Sequence, residues 1–367
     1  MKIIPILMIA VLLTGGFTSC KKHVTEPPSG CDTCSDTTHH ICDTCNLNQD
    51  SLQRVKDSLA HAFVWTEYSI PGETNLTGVW VFDSTDIIIV GNFLWHFDGK
   101  TFTEIEAISS TTGIALSGAL SGFSIFALSK KDYWLVHGSI AFHTTDGKYF
   151  EDIRPGTTNA CWGTSSNDIF IVGNGGQIHH FDGSKFTDMT SPTTKDLRSV
   201  WGTSHTDVWA CGFNSSTAGT VLIHYDGSSW TEDPISIQKG IYATGGFNAV
   251  WAYDSSGHKF VTTCGAILLR KTDNGSWRSD SGMIPNSLGS GSWVGIAPLG
   301  NNPNDLFVTG GWGFTAHWNG KTWKKYDQLY DYSNSNYGAA GFSVKENTAC
   351  MVGTKSGNSW VAIGRRK

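Results

Sequence analysis

Charged side chains are scarce in this sequence. Only 16% of its 367 residues are Asp, Glu, Lys or Arg, the formal net charge is −6, and no run of basic residues occurs. Nucleic-acid-binding domains cluster lysine and arginine on one face, so the sequence excludes nucleic acid as a partner. The 42 glycines and 15 tryptophans suit turns and aromatic strands better than helices, and we predict an all-β protein.

Motifs of catalysis are also lacking. The sequence contains no Gly-rich phosphate loop, no Gly-x-Ser-x-Gly nucleophile turn and no His-Glu-x-x-His pair. A sialidase-like hydrolase would need an arginine cluster for the substrate carboxylate and a Tyr/Glu pair, and both arginine and glutamate are sparse here. We therefore assign no catalytic residue, and we keep a glycan-cleaving hydrolase or lyase as an alternative because a carboxylate pair need not leave a sequence motif.

What the sequence does contain is a repeated unit of four short strands. Residues 199–233 read SVWGTSHTDVWACGFNSSTAGTVLIHYDGSSWTED, and residues 161–189 repeat the same order of apolar runs, glycines and an Asp-Gly turn. Asp-Gly between two apolar runs is a strong hairpin signal, because glycine adopts positive φ without strain. Such Asp-Gly or Asn-Gly turns recur every ~36–48 residues, which is the spacing of β-propeller blades.

The number of copies of the second strand gives the number of blades. Seven copies occur, each a polar residue followed by an apolar run that ends in glycine, at residues 86–91, 132–138, 168–173, 207–212, 259–265, 305–310 and 347–353. The last copy is followed by only one more strand, whereas a strand-like segment at residues 64–68 precedes the first copy and resembles a fourth strand. We predict a seven-bladed propeller over residues 63–367, closed by this segment so that no sheet edge is left open. A six-bladed ring is the alternative.

Two local patterns resemble bacterial repeats. Residues 272–277, TDNGSW, are similar to an Asp-box, and WGTS followed by DVWA in residues 201–210 is typical of Bacteroidetes-like lipoproteins with propeller domains. The resemblance covers roughly residues 62–367. It implies the propeller fold but no particular activity, since propellers carry many functions.

The N-terminus has the features of a secretory signal. Residues 1–19 carry a positive charge at Lys2, continue with an apolar core and end in small residues before Cys20. The segment Phe17-Thr18-Ser19-Cys20 resembles a bacterial lipobox, with departures at Phe17 and Thr18. The resemblance implies acylation of Cys20, palmitate included, and anchoring in the outer membrane of the cell envelope, facing either the periplasm or the outside. The alternative is a secreted protein in which Cys20 is a free thiol.

A polar segment, residues 20–50, has the composition of a tether. It contains two Cys-x-x-Cys pairs, formed by Cys31, Cys34, Cys42 and Cys45. Two disulfides and a bound Zn²⁺ are both consistent with this spacing, and the zinc ion would be the only cofactor that we expect. We then predict one short helix over residues 51–62, because the spacing of Leu52, Val55 and Leu59 places them on one helix face.

Four histidines recur two residues before the hairpin turn: His96, His180, His224 and His317. Because equivalent positions of successive blades lie on separate sheets, we expect each histidine to form hydrogen bonds within its blade rather than a shared metal site. Aspartates at the start of the second strand, such as Asp168 and Asp207, are expected to accept backbone N–H bonds in the preceding turn.

Aromatic residues that depart from the repeat are the candidate ligand-binding residues. They lie in or beside the loops that share one face of the ring, and they are Tyr242, Trp293, Trp312, Phe314, Tyr330, Tyr332 and Tyr337. Exposed aromatics beside amides suit a sugar face or a protein hot spot, whereas the alternative is that they fill gaps between blades.

These features together predict a membrane-anchored, monomeric envelope lipoprotein. Its propeller would be a non-catalytic module that binds a glycan or an envelope protein, with no nucleic acid as partner. Besides the hydrolase or lyase, a structural or assembly factor of the envelope is the other alternative.

Overall fold

The computed structural model describes residues 61–214, 219–237, 246–255, 257–265, 268–279, 293–298, 305–310, 312–329 and 338–367. The predicted signal, the tether with its cysteines and residues 51–60 of the predicted helix lie outside the described residues. Short 3₁₀ turns occur at Asn174–Gly176, Pro234–Ile237 and Asp327–Leu329. Within the described ranges, no helix has the length and apolar character needed to cross a membrane.

Seven antiparallel sheets form a β-propeller, which confirms the predicted blade number and excludes the six-bladed alternative. The strands of blades 1 to 3, from the axis outward, are β2 Gly78–Asp83, β3 Asp86–Val90, β4 Leu94–Phe97, β5 Phe102–Ile105; β7 Ser124–Ala127, β8 Tyr133–His137, β9 Ile140–Thr144, β10 Tyr149–Ile153; and β11 Ala160–Ser165, β12 Asp168–Val172, β13 Ile178–Phe181, β14 Phe186–Asp188. A two-residue strand, β6 Ile108–Ser109, pairs in parallel with β10 at the outer edge of blade 2.

Blades 4 to 7 follow the same plan. Their strands, from the axis outward, are β15 Leu197–Ser204, β16 Asp207–Asn214, β17 Gly219–Tyr225, β18 Trp230–Glu232; β19 Ala249–Ser255, β20 His258–Cys264, β21 Leu268–Thr272, β22 Arg278–Ser279; β23 Trp293–Pro298, β24 Leu306–Gly310, β25 Thr315–Trp318, β26 Trp323–Lys325; and β27 Gly338–Lys345, β28 Thr348–Lys355, β29 Asn358–Arg366, β1 Phe63–Tyr68.

The N-terminal strand closes the ring, as predicted. β1 pairs antiparallel with β29 over its whole length, from Phe63 opposite Arg366 to Tyr68 opposite Val361, and so supplies the fourth strand of blade 7. The innermost strands contact one another all the way round, and β27 of blade 7 contacts β2 of blade 1. Each blade therefore buries both faces against its neighbours, which a single four-stranded sheet could not do.

Aspartate-glycine turns join the two outer strands of several blades. In blade 4, Asp226 accepts hydrogen bonds from the backbone N–H groups of Ser228 and Ser229, and Gly227 has φ of +95°, which favours glycine. These N–H donors lower the pKa of Asp226 to about 2. Asp182 forms the same turn in blade 3. The repeat is thus specified by local backbone chemistry as well as by apolar burial.

Candidate functional site

The up-and-down strand order gives the ring two chemically different faces. The turns between strands one and two and between strands three and four lie on one side, which we call the carboxylate face. The connections between strands two and three, and from one blade to the next, lie on the other side, which we call the mouth face. Each innermost strand therefore begins at the mouth face and ends at the carboxylate face.

Carboxylates at the start of the second strands join neighbouring blades. In blade 4, Asp207 accepts hydrogen bonds from His224 Nε2 of the same blade at 2.7 Å and from Lys259 Nζ of blade 5 at 2.8 Å. The same arrangement of carboxylate, histidine of the same blade and donor of the next blade is formed by Asp86–His96–Lys130, Asp132–His143–Ser166, Asp168–His180–His205 and Asp305–His317–Arg366. We call these five groups the blade junctions.

The junctions explain the repeated histidines. All four predicted histidines bond to an aspartate of their own blade, which confirms blade-internal hydrogen bonding. The expectation that the aspartates accept backbone N–H bonds is wrong, because side-chain donors take those acceptor positions: Thr203 Oγ1, for example, bonds to Asp207 at 2.6 Å. Burial alone would raise the pKa of the Asp207 carboxyl, but the bonds from His224, Lys259 and Thr203 hold it well below its ordinary value.

The junction of blades 6 and 7 also contacts the segment before β1, the strand that closes the ring. His61, which lies just before β1, contacts His317 Nδ1 through its own Nδ1 at 2.9 Å and Thr322 Oγ1 through Nε2 at 3.0 Å. Since Asp305 accepts the Nε2 proton of His317, the Nδ1 atom of His317 accepts the bond from His61. Burial, reinforced by the His317 ring, lowers the pKa of His61 to about 4, and burial also lowers the pKa of His317, so this contact joins two neutral rings at pH 7.

Aromatic rings from five blades converge on the ring axis. They come from the innermost strands β2, β7, β11, β15 and β19, and we call them the aromatic floor: Trp80, Phe126, Trp162, Trp201 and Trp251. Trp201 stacks on Trp251 with ring centroids 3.9 Å apart, and it lies 6.3 Å from Trp80 and from Phe126. Trp80 belongs to blade 1 and Trp201 to blade 4, so their contact places both indoles in the central channel.

Small residues lie above this floor on the mouth face. Strand residues two positions apart share a face, so the residue two positions before each floor aromatic also lines the channel. These residues, which we call the mouth, are Gly78, Ser124, Ala160, Ser199 and Ala249. Towards the carboxylate face the corresponding positions are Phe82, Leu128, Thr164, Thr203 and the buried Tyr253. Trp80, Trp201 and Trp251 are only partly buried, so part of the floor is accessible to solvent.

The loop aromatics predicted from sequence are only partly described. Trp312 and Phe314 lie in the β24–β25 turn, and Trp293 lies opposite Gly310 in the β23–β24 ladder, so all three belong to the mouth-face end of blade 6. Trp312 is partly buried with φ of +54°, and Phe314 is buried with Leu306 and other core residues of its blade. The remaining four, Tyr242, Tyr330, Tyr332 and Tyr337, lie outside the described residues.

The aromatic floor was not predicted from the sequence, although a repeated aromatic position indicates it. Trp162 and Trp201, the tryptophans of the two Trp-Gly-Thr-Ser segments, belong to the repeat and to the pattern that resembles bacterial propeller repeats, and neither was predicted to line the channel. An aromatic occurs at the same position of the innermost strand in five successive blades, in the pairs Val79-Trp80, Ile125-Phe126, Cys161-Trp162, Val200-Trp201 and Val250-Trp251. A large ring repeated at the innermost position of a closed propeller has only the channel to occupy, and that reasoning would have found the floor.

Comparisons with known proteins establish the fold alone. No family model matches the sequence, and no curated protein is significantly similar to it. The structure is similar to YCF48 from Cyanidioschyzon merolae, with a TM-score of 0.58, 15% identity and coverage of 81% of this chain and 98% of that chain.

Two further structures are similar at the same level. One is YCF48 bound to D1 peptide, with a TM-score of 0.54, 15% identity and coverage of 83% of this chain and 95% of that chain. The other is the GH74 xyloglucanase from Xanthomonas campestris, with a TM-score of 0.56 and 14% identity; the match covers 80% of this chain but only 52% of the xyloglucanase chain. Both confirm the propeller architecture.

Proposed function

We propose that the propeller is a non-catalytic binding module that receives its ligand on the aromatic floor through the mouth. The observation that carries this proposal is the convergence of five aromatic rings on the axis beneath small residues, with three indoles partly exposed. Indole faces bind apolar side chains and sugar rings with little loss of conformational entropy, because tryptophan has only two rotatable side-chain bonds.

The chemistry of the described carboxylates supports binding without cleavage. A glycosidase needs a general acid whose pKa is raised, held opposite a second carboxylate. Asp168, Asp207 and Asp305 are committed to the blade junctions, and the donors around them lower their pKa values. Glu73, which is buried, accepts hydrogen bonds from the backbone N–H groups of Thr74, Asn75 and Phe93 and so fixes two loops rather than a substrate.

A polypeptide is the ligand class that we favour over a glycan. One of the similar structures is a propeller bound to a peptide, and the match covers nearly all of that chain. The xyloglucanase match covers only about half of that enzyme, which gives weaker support to a carbohydrate ligand. An extended peptide could insert one apolar side chain between the small mouth residues and reach the indoles, with loops of the mouth face contacting the flanking backbone.

Filling the mouth should weaken ligand binding without unfolding the ring. We expect Ala160→Leu, which adds bulk to the mouth, to weaken ligand binding at least ~10-fold, since about 1.4 kcal/mol of lost contact suffices. The measurement is tryptophan fluorescence during titration with a peptide library and a glycan panel, with product analysis of each hit by mass spectrometry.

Thr187→Leu, at an exposed position of the outer strand β14, is the matched control and should bind as the unaltered chain does. Equal affinities for Ala160→Leu and Thr187→Leu would disprove binding at the mouth. Cleaved product with the unaltered chain would favour the hydrolase, and a glycan hit without a peptide hit would change the ligand class.

We also propose that the chain is a lipoprotein of the cell envelope. The support is in the sequence: an apolar segment over residues 3–13, small residues after it and Cys20 at the lipobox-like position. We expect Cys20→Ser to lose labelling by a palmitate analogue and to move the protein from the membrane fraction to the soluble fraction, because the acyl chains are its only anchor in this proposal. Retention of Cys20→Ser in the membrane fraction would contradict the proposed anchor. Cys31→Ser, which removes a different thiol, is the control and should keep the label and the membrane location.

A further inference from the structure

We propose that Asp168, His180 and His205 form a binding site for one divalent transition-metal ion, such as Zn²⁺ or Co²⁺, at the junction of blades 3 and 4. His180 Nε2 and His205 Nδ1 each lie 2.7 Å from the same oxygen, Asp168 Oδ1. The three donor atoms lie within 4.8 Å of one another, and no other group of three potential metal-ligating side chains meets this condition in the part of the chain that the structure describes.

The junction of blades 3 and 4 differs from the other blade junctions in the residue that the next blade contributes. At the other junctions the donor from the next blade is a lysine, a serine or an arginine, namely Lys130, Ser166, Lys259 and Arg366. A lysine or arginine neutralises the carboxylate and leaves no need for a cation. Two imidazoles beside one carboxylate instead provide a single negative charge and two nitrogen donors, which is the ligand set that zinc and cobalt prefer.

The surroundings suit an open three-ligand site. The side chain of His205 is 52% exposed, so an ion can reach the site from the carboxylate face, whereas those of His180 and Asp168 are 19% and 13% exposed. Thr164 Oγ1 donates to the second oxygen of Asp168 at 2.5 Å and so orients the carboxylate. The Phe170 ring packs against both imidazoles, at 4.6 Å from His180 and 5.9 Å from His205, and restricts their rotation.

Metal binding would replace the two short hydrogen bonds. In tetrahedral coordination at ~2.0–2.2 Å from the ion, ligand atoms are separated by roughly 3.3 Å, so the nitrogens need to move outward by only a fraction of an ångström. The half-exposed His205 ring can make that adjustment by a small rotation. The fourth position would hold water, as in zinc sites with three protein ligands.

The test is metal titration of the full chain in which Cys31, Cys34, Cys42 and Cys45 are replaced by serine, so that the tether cannot bind the ion. After removal of bound metal by chelator, Zn²⁺ binding is measured by calorimetry and Co²⁺ binding by visible absorption. We expect one equivalent of either ion and the strong visible bands of tetrahedral cobalt, without thiolate charge transfer.

The decisive variant is His205→Lys, which installs the residue found at two other junctions and keeps a donor for Asp168. We expect it to weaken Zn²⁺ binding at least ~10-fold and to remove the cobalt bands, while the melting temperature without metal stays within ~2 °C. His180→Gln should also abolish binding, and His143→Gln, at the junction of blades 2 and 3, should not. The proposal is overturned if the chain without the four tether cysteines shows no saturable binding, or if neither His205→Lys nor His180→Gln weakens it.

Discussion

Replacing Trp201 by alanine should lower the free energy of unfolding by about 3 kcal/mol. Trp201 packs against two core clusters, one from blades 2 to 4 and one from blades 4 and 5, and it contacts rings of blades 1, 2, 3 and 5 across the channel. No smaller side chain can maintain contacts with blades on opposite sides of the ring, so the loss leaves a cavity on the axis. Urea unfolding followed by circular dichroism measures the difference.

Trp323→Ala is the matched control for this prediction. Trp323 is also a partly buried tryptophan, but it lies on the outer strand β26, and its described ring contact is with Trp318 of the same blade at 5.5 Å. We expect its removal to cost no more than ~1.5 kcal/mol. Equal losses for Trp201 and Trp323 would contradict a structural role for the floor in holding the blades together.

Phe63→Ala should destabilise the ring by about 3 kcal/mol, because it weakens the closure between the first and last strands. Phe63 is 6% exposed, its ring meets Phe307 edge-on at 5.0 Å, and the guanidinium of Arg366 lies 4.9 Å from its centroid. Its loss would loosen β1 from blade 7 and blade 6 together. Thermal unfolding and urea unfolding of the variant both report this change.

The next residue of the same strand provides the control. Val64 points to the other face of β1 and is 47% exposed, so Val64→Ala should change stability by less than ~0.5 kcal/mol. The two variants leave the backbone pairing of β1 with β29 intact and differ only in the face that is truncated. If neither Phe63→Ala nor Val64→Ala changes the free energy of unfolding, the side chains of β1 do not stabilise the ring closure.

Local chemistry explains why the fold could be predicted from the sequence. The Asp-Gly turns, the alternating apolar strands and the polar start of each second strand depend on residues close together in the chain, so they recur visibly. The segment at residues 64–68 was recognised as a fourth strand because it resembles Trp230-Thr231-Glu232. The histidine–aspartate bonds were predictable for the same reason, since His224 and Asp207 lie on adjacent strands of one hairpin.

Contacts between blades could not be predicted in this way. The donors to the junction carboxylates vary in residue type and position: Lys130, Ser166 and His205 each lie two residues before the aspartate of the next second strand, whereas Lys259 and Arg366 lie elsewhere. No single repeat shows which of these residues reaches the carboxylate of the preceding blade. The contact of Trp80 with Trp201 joins residues three blades apart, and it depends on the radius of the channel, which no single repeat specifies. The proposed metal site depends on such a contact, between His205 and the carboxylate of the preceding blade, which the sequence alone does not indicate. The aromatic floor differs, because its members recur at one repeat position, and only their mutual contacts across the channel could not be predicted.

The most direct test of the proposed binding site is an NMR titration of the chain labelled with ¹⁵N in its tryptophan indoles. The ligand is the peptide selected in the fluorescence screen, and single Trp→Phe variants assign the signals. Our account predicts that the indole N–H signals of Trp80, Trp201 and Trp251 shift on binding while those of Trp318 and Trp323, far from the axis, do not. Shifts confined to the outer tryptophans, with the floor signals unchanged, would contradict ligand binding on the ring axis.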